Sequence, residues 1–176
     1  MIEIIDNFLN SYECNLLIEF YKKHKNFKYN KTFPVSITEK GCKNSKYIKK
    51  FSEPYYSTIK NIEEKVFYSL KSRTNIEYEL YNAEIVRWPM FSDMDSHYDI
   101  LGTEFSCIIY LNDTYIGGNT IVEGKVIKKK KGSMLIMKNS DKLLHKVTKN
   151  IFGARYTFPL WYGNEIFFRH HNNFRI

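Results

Sequence analysis

Residues 103–127 read TEFSCIIYLNDTYIGGNTIVEGKVI. Two runs rich in β-branched and aromatic residues, 103–111 and 119–127, flank a polar stretch closed by Gly117-Gly118. Such runs, separated by glycine or polar turns, mark strands rather than helices. The texture continues on both sides, with 78–88 before it and 133–138, 143–149 and 154–161 after it. Short segments at this spacing predict an antiparallel β-sandwich or barrel. A double-stranded β-helix, the jelly-roll variant, fits the segment lengths, although periodicity alone does not choose it over other β-sandwiches.

Toward the N terminus the period changes. Asn10 and Glu13 have capping-box spacing, and Leu16, Leu17, Phe20 and Tyr21 recur at helical intervals, which predicts a helix over 11–24. Pro54 suits the first turn of a second helix, where a missing N–H is harmless. Ile59, Ile62, Val66, Phe67 and Leu70 give that helix one apolar face, to about Arg73. Residues 2–5 read as a short strand and 25–51 as a lysine-rich loop. No repeat and no Pro-, Gly- or Ser-rich linker interrupts the chain. The expected organisation is one domain over 1–176: helical support 1–75, a β-helix core 76–162 and a C-terminal tail 163–176. The fold class is therefore mainly β, with N-terminal helices packed on one sheet.

Composition bounds the rest. The 176 residues are 43% hydrophobic and 16% aromatic, too apolar for a disordered chain and enough for a real core. The net charge of +8 favours acidic partners. The lysine excess is spread along the chain and accompanies many Asn, Ile, Tyr and Phe, a set favoured by AT-rich coding, so nucleic acid is not the expected partner. No apolar run approaches the ~18 residues of a membrane span. The opening Met1-Ile2-Glu3-Ile4-Ile5-Asp6 lacks a basic, then apolar, signal pattern. Cys14, Cys42 and Cys107 are odd in number and far apart, reading as reduced thiols of a cytoplasmic protein.

The chemistry-bearing residues lie in the β-rich half. In His97-Tyr98-Asp99 an extended strand would turn imidazole and carboxylate to the same side. His145 opens another predicted strand. Two histidines and one carboxylate form the facial triad of non-haem Fe(II) oxygenases, which leaves three metal positions open. An H-x-D alone is a weak signal, more often explained by an ordinary strand with a satisfied histidine. Arg155 follows His145 by ten residues, and a turn around Asn150 and Gly153 would make 145–149 and 154–161 neighbouring antiparallel strands. Both side chains would then line one cavity, where a fixed guanidinium suits a bidentate carboxylate.

His97-x-Asp99, Tyr110-Leu111-Asn112, Gly117-Gly118-Asn119-Thr120, Lys131-Gly132, His145-x-Val147 and Gly153-Ala154-Arg155-Tyr156 with Trp161 stand in a telling order. The chain resembles the Fe(II)/2-oxoglutarate-dependent dioxygenases of the prolyl 4-hydroxylase type. Residues 154–162 are also similar to the hypoxia-sensing prolyl hydroxylases, and Ile4-Ile5-Asp6-Asn7-Phe8-Leu9 with Cys14 is similar to the family's N-terminal strand and helix. The resemblance implies that His97, Asp99 and His145 bind Fe(II). It implies that Arg155 holds the distal carboxylate of 2-oxoglutarate, with Tyr110 hydrogen-bonding it, and that Trp161 lies near the iron-binding histidine. The implied cofactors are Fe(II), 2-oxoglutarate, O2 and ascorbate, and the implied substrate is a peptidyl proline converted to 4-hydroxyproline.

One departure concerns the approach to His97. Where the family often has a Tyr-x-x-Gly, this chain has Trp88-Pro89-Met90-Phe91, so the loop is expected to change shape. That segment and 25–51 are the expected substrate-facing parts. Asp93 and Asp95 read as solvated loop acids, Lys128 to Lys131 as a solvated hairpin tip, and Arg169, His170 and His171 as a polar tail. His24 reads as a partner of a helix C-terminal dipole. The same chemistry on a free amino acid, another side chain or an alkylated base is an alternative, the last disfavoured because Trp161 stands where base-repair relatives carry a second arginine. A non-catalytic basic binding module is the rival from another class.

Overall fold

A computed structural model describes residues 1–24, 33–38, 46–99 and 102–163. In chain order the elements are β1 (Ile2–Ile5), α1 (Ser11–His24), β2 (Phe33–Ser36), β3 (Lys46–Tyr47), α2 (Tyr55–Thr74), β4 (Glu79–Trp88), β5 (Met94–His97), β6 (Phe105–Tyr110), β7 (Ile116–Gly117), β8 (Thr120–Val122), β9 (Lys125–Val126), β10 (Met134–Lys138), β11 (His145–Val147), β12 (Asn150–Phe152) and β13 (Arg155–Gly163). The molecule is mostly β, with two helices.

Both helices form where their caps predict. The Asn10 side chain accepts from the Glu13 N–H at 2.9 Å, and Glu13 accepts from the Asn10 N–H at 2.8 Å, a reciprocal capping box. α2 ends at Asn75 in the left-handed conformation, its N–H bonded to the Lys71 carbonyl. Leu17 and Phe20 of α1 and Ile59, Ile62 and Val66 of α2 share one buried cluster with Ile85, Ile109, Ile136 and Phe158. Burying each such side chain contributes about 1.5–3 kcal/mol.

The sheet they cover has seven strands in the order β1-β10-β6-β13-β4-β2-β3, antiparallel except for the β2–β3 pair. The next residues along its strands point the other way. Tyr110, Leu135 and Met137 pack with Val122 and Ile127, and Val86 and Trp88 pack with Val147. A second sheet, β5-β11-β8-β9, thus faces the first, and a β12-β7 pair stands beside them. Because β13 and β10 are buried on both faces, they read as continuous apolar runs without alternation. Glycine is required at the β7–β12 contact, since a Cβ on Gly117 would lie 2.3 Å from the Lys149 carbonyl oxygen.

Several expectations need correction. Residues 145–149 and 154–161 are not neighbours: β11 pairs with β5 and β8, while β13 pairs with β4 and β6 in the other sheet. The turn between them starts a separate strand, β12, because the Asn150 amide donates to the Trp88, Pro89 and Gly153 carbonyls. The single strand expected over 119–127 is a hairpin, β8–β9, turned by Glu123 and Gly124, both at positive φ. Part of the 25–51 loop is β2 and β3, carried on the edge of the large sheet. The lysine run is tied down: Lys129 donates to the Tyr115 carbonyl at 2.5 Å and lies over its ring, and Lys131 reaches the Asn15 side chain. Phe91 keeps a glycine-like backbone, φ 67°, with its N–H donated to the Asn150 carbonyl at 2.7 Å. Cys42, Arg169, His170, His171 and the rest of the tail beyond 163 lie outside the described residues.

Candidate metal centre

β5 and β11 are antiparallel neighbours in which His97 stands directly opposite His145. Asp99 lies two residues beyond the end of β5, so the shared side of a strand is not what aligns it with His97. The three side chains nevertheless converge, with one ligand atom from each within 4.8 Å of the others. Asp99 Oδ1 is 3.5 Å from His145 Nε2 and 3.9 Å from His97 Nε2. Donors about 2.0–2.2 Å from a common ion stand at most ~4.4 Å apart, so both carboxylate distances suit one divalent first-row ion. Backbone carbonyls orient the rings: His97 Nδ1 is 2.8 Å from the Asp95 oxygen and His145 Nδ1 is 3.0 Å from the Leu143 oxygen. Each bond assigns a proton to Nδ1, so the Nε2 that faces Asp99 carries a proton toward the carboxylate when the ring is cationic and offers a lone pair to a metal when it is neutral.

Electrostatics couple these groups. Burial works to raise the Asp99 pKa, but the hydrogen bond and charge of His145, with the Ser106 bond and the His97 charge, hold it below the usual carboxylate value. Burial likewise works to lower His145, and Asp99 outweighs it, so its pKa is raised. Asp93 and Asp95 are exposed and their carboxylates stand outside the cluster.

The three donors open into a cavity of about 170 Å³ between the two sheets, which Arg155, Thr120, Trp88 and Trp161 also line. This is below the roughly 300–1,000 Å³ of drug-sized ligand sites and suits a small acid. Arg155 heads β13 opposite Trp88 and is 1% exposed. Its Nη2 donates to Thr120 Oγ1 at 2.9 Å, and its guanidinium stacks 4.9 Å from the Trp88 ring. Its Nε and Nη1 are buried without a hydrogen-bond partner, and no carboxylate pairs with it among the described residues. A buried, unpaired cation is costly, so this site has the electrostatics of an incomplete pair awaiting an anion.

Tyr110 is brought to the arginine, but its hydroxyl donates to Thr120 Oγ1 at 2.9 Å. Burial pushes its pKa up, with the Arg155 charge opposing. Thr120 thus accepts from both Tyr110 and Arg155, and a hydroxyl with both lone pairs engaged has its one proton left to donate. It faces the cavity, yet sequence reasoning singled it out only as the last residue of Gly117-Gly118-Asn119-Thr120. The buried Trp161 Nε1 also lacks a partner. Trp88 walls the cavity, its own N–H donated to Thr157 at 3.2 Å.

Two histidines and a carboxylate thus share a cavity between two sheets with an unpaired arginine, an arrangement that can hold one metal ion beside a small anion. Residues 85–163 match the family model of the 2OG-Fe(II) oxygenase superfamily. The match spans the β-rich part of the chain, where the motifs that resemble this family stand. No curated protein sequence matches the chain. Among solved structures, the viral collagen prolyl hydroxylase of Paramecium Bursaria Chlorella virus-1, in its 2OG complex, is 20% identical with a TM-score of 0.70, over 92% of this chain and 94% of that one. A Pseudomonas putida prolyl-4-hydroxylase is 12% identical with a TM-score of 0.64, over 93% and 92%. A Trichoplax adhaerens prolyl hydroxylase, in complex with a hypoxia inducible factor peptide fragment, is 21% identical with a TM-score of 0.67, over 94% and 84%. At these identities the likeness establishes the fold. No described helix is long and apolar enough to cross a membrane.

Proposed function

We propose that the chain is an Fe(II)/2-oxoglutarate-dependent dioxygenase that hydroxylates peptidyl proline to 4-hydroxyproline, releasing succinate and CO2. The observation that carries the reading is Arg155, buried and unpaired in the same small cavity as the three metal donors. His97, Asp99 and His145 would hold Fe(II) through Nε2, Oδ1 and Nε2. Arg155 would take the distal carboxylate of 2-oxoglutarate, with Thr120 and Tyr110 fixing the guanidinium and Trp161 beside the metal end. When bound, the metal and keto acid supply the oxidation: one oxygen atom of O2 enters the substrate C–H bond and the other enters succinate.

The chain's own contribution is position and exclusion of water. Trp88 and Thr120 hold the guanidinium from two sides, so it need not reorganise when the anion arrives. The apolar walls from Val86, Ile108 and Val147 keep the cavity dry and strengthen that contact. We read the facing sheets as a double-stranded β-helix, with 1–75 as its helical support in a single domain. The proline substrate draws on the prolyl hydroxylases that share the fold.

The test is succinate release from 2-oxoglutarate under air with Fe(II) and ascorbate, with and without proline peptides, reading product masses. Peptide-stimulated turnover with one oxygen added on proline is the expected result. Slow release that no peptide stimulates would reject proline and move the same chemistry to another substrate. Absence of succinate despite bound iron would overturn the enzyme reading.

A further inference from the structure

We infer that Ser106, steadied by Asn139, is the positioning residue of the Asp99 carboxylate, holding one oxygen so that the other is presented to the metal. The inference rests on the reading of His97, Asp99 and His145 as metal ligands. The two histidines are placed by backbone: His97 and His145 sit opposite each other in a hydrogen-bonded ladder, and His145 is paired on its other side to Val122. Asp99 has no such support. It lies past the end of β5, and a side chain must do what the ladder does for the histidines.

Ser106 does this from the large sheet. It sits within β6, 1% exposed, paired with Trp161 on one side and Met137 on the other. Its hydroxyl donates to Asp99 Oδ2. The two carboxylate oxygens are thereby divided, because Oδ1 is the one facing both Nε2 atoms. The Asn139 side-chain amide lies 3.0 Å from Ser106 Oγ and 2.7 Å from Thr103 Oγ1. A serine hydroxyl has one proton. With that proton on Asp99, the amide group facing Ser106 must be the NH2, and the carbonyl then accepts from Thr103. Amide nitrogen and oxygen are interchangeable assignments, so the bonding pattern decides between them. The result is a directed chain in which Asn139 donates to Ser106 and Ser106 donates to Asp99. Asn139 is pinned in turn, its backbone N–H donated to the Glu104 carbonyl at 2.8 Å.

Mn(II), a redox-quiet stand-in for Fe(II), is titrated into the full chain and into Ser106→Ala, Asn139→Ala and the double variant. Thermal unfolding checks that each is folded. Loss of a group that orients a metal ligand weakens binding about 10–100-fold, and that is expected for Ser106→Ala. Asn139→Ala should weaken it in the same direction but less. The double variant should match Ser106→Ala alone, because Asn139 acts only through the serine. Ser106→Ala binding within about twofold of the parent, or single-variant losses that add, would overturn the positioning role. A parent chain that binds no Mn(II) would overturn the ligand reading itself and this inference with it, an outcome visible before any variant is compared.

Discussion

At one end of the cavity Arg155 heads a strand laddered to β4, is stacked on Trp88 and is sealed from water. At the other, His97 has a side chain one-third exposed and Asp99 stands beyond its strand, held by the Ser106 hydroxyl. The first end is rigid but electrostatically incomplete. The second is electrostatically balanced within itself, histidine against carboxylate, but only partly fixed by backbone.

The strongest way to break that contrast is at the open end. Asp99→Ala should abolish metal-dependent turnover in a chain that still folds; full activity in that variant would remove Asp99 from the ligand set. Arg155→Met tests the sealed end. Truncating one partner of a buried charge pair typically costs 2–5 kcal/mol, so 2-oxoglutarate binding should weaken by about 30-fold or more. Because no described carboxylate pairs with the guanidinium, the same variant should unfold no earlier on heating than the parent without ligand, and a clear loss of stability would argue against the incomplete-pair description. Thr120→Val leaves the Tyr110 hydroxyl and Arg155 Nη2 without their acceptor, a loss of about 1–3 kcal/mol. It should appear as a raised KM for 2-oxoglutarate with metal affinity unchanged; an equal fall in metal affinity would erase the distinction between the ends.

The smallest effect sharpens the comparison by pH. In the metal-free protein Asp99 titrates below its ordinary value and His145 above its own. The carboxylate's share of stability is present above the unfolded value near 3.8 and is lost as pH falls through the lowered folded value. The histidine's share is full below 6.5 and is lost as pH rises through the raised folded value. The pair therefore stabilises most between those limits, and Asp99→Asn should lower the unfolding midpoint more at pH ~5 than at pH ~9. Equal shifts at both pH values would argue against the coupling.

How far the residues themselves carried the reading differs along the chain. Both helices were legible because capping and a one-sided apolar period are local properties, as Asn10 with Glu13 and the apolar face from Ile59 to Leu70 illustrate. The longer strands were legible as segments, but β2, β3, β7, β12 and β5 were not: in β5, Met94-Asp95-Ser96-His97 is mostly polar and exposed, and only its pairing with β11 makes it a strand. The donors were legible as residue types in an order that resembles a family. Thr120 was legible only as part of a glycine motif, since its importance lies in two hydrogen bonds from residues 10 positions before it and 35 after it.

By itself the sequence determined that a β-rich half follows two helices, that His97, Asp99, His145 and Arg155 are the chemically notable side chains, and that no span of apolar residues suits a membrane helix. The first and third follow from composition and local period, and the second from the order of motifs that resembles a family, all of them readable along the chain. The tertiary structure alone decided that His145 and Arg155 stand in different sheets, that Ser106 of the other sheet bonds the Asp99 carboxylate, and that no described carboxylate pairs with Arg155. Each of these depends on which strands pair and which buried groups remain unsatisfied. Such contacts join residues far apart in sequence, and no local pattern records them.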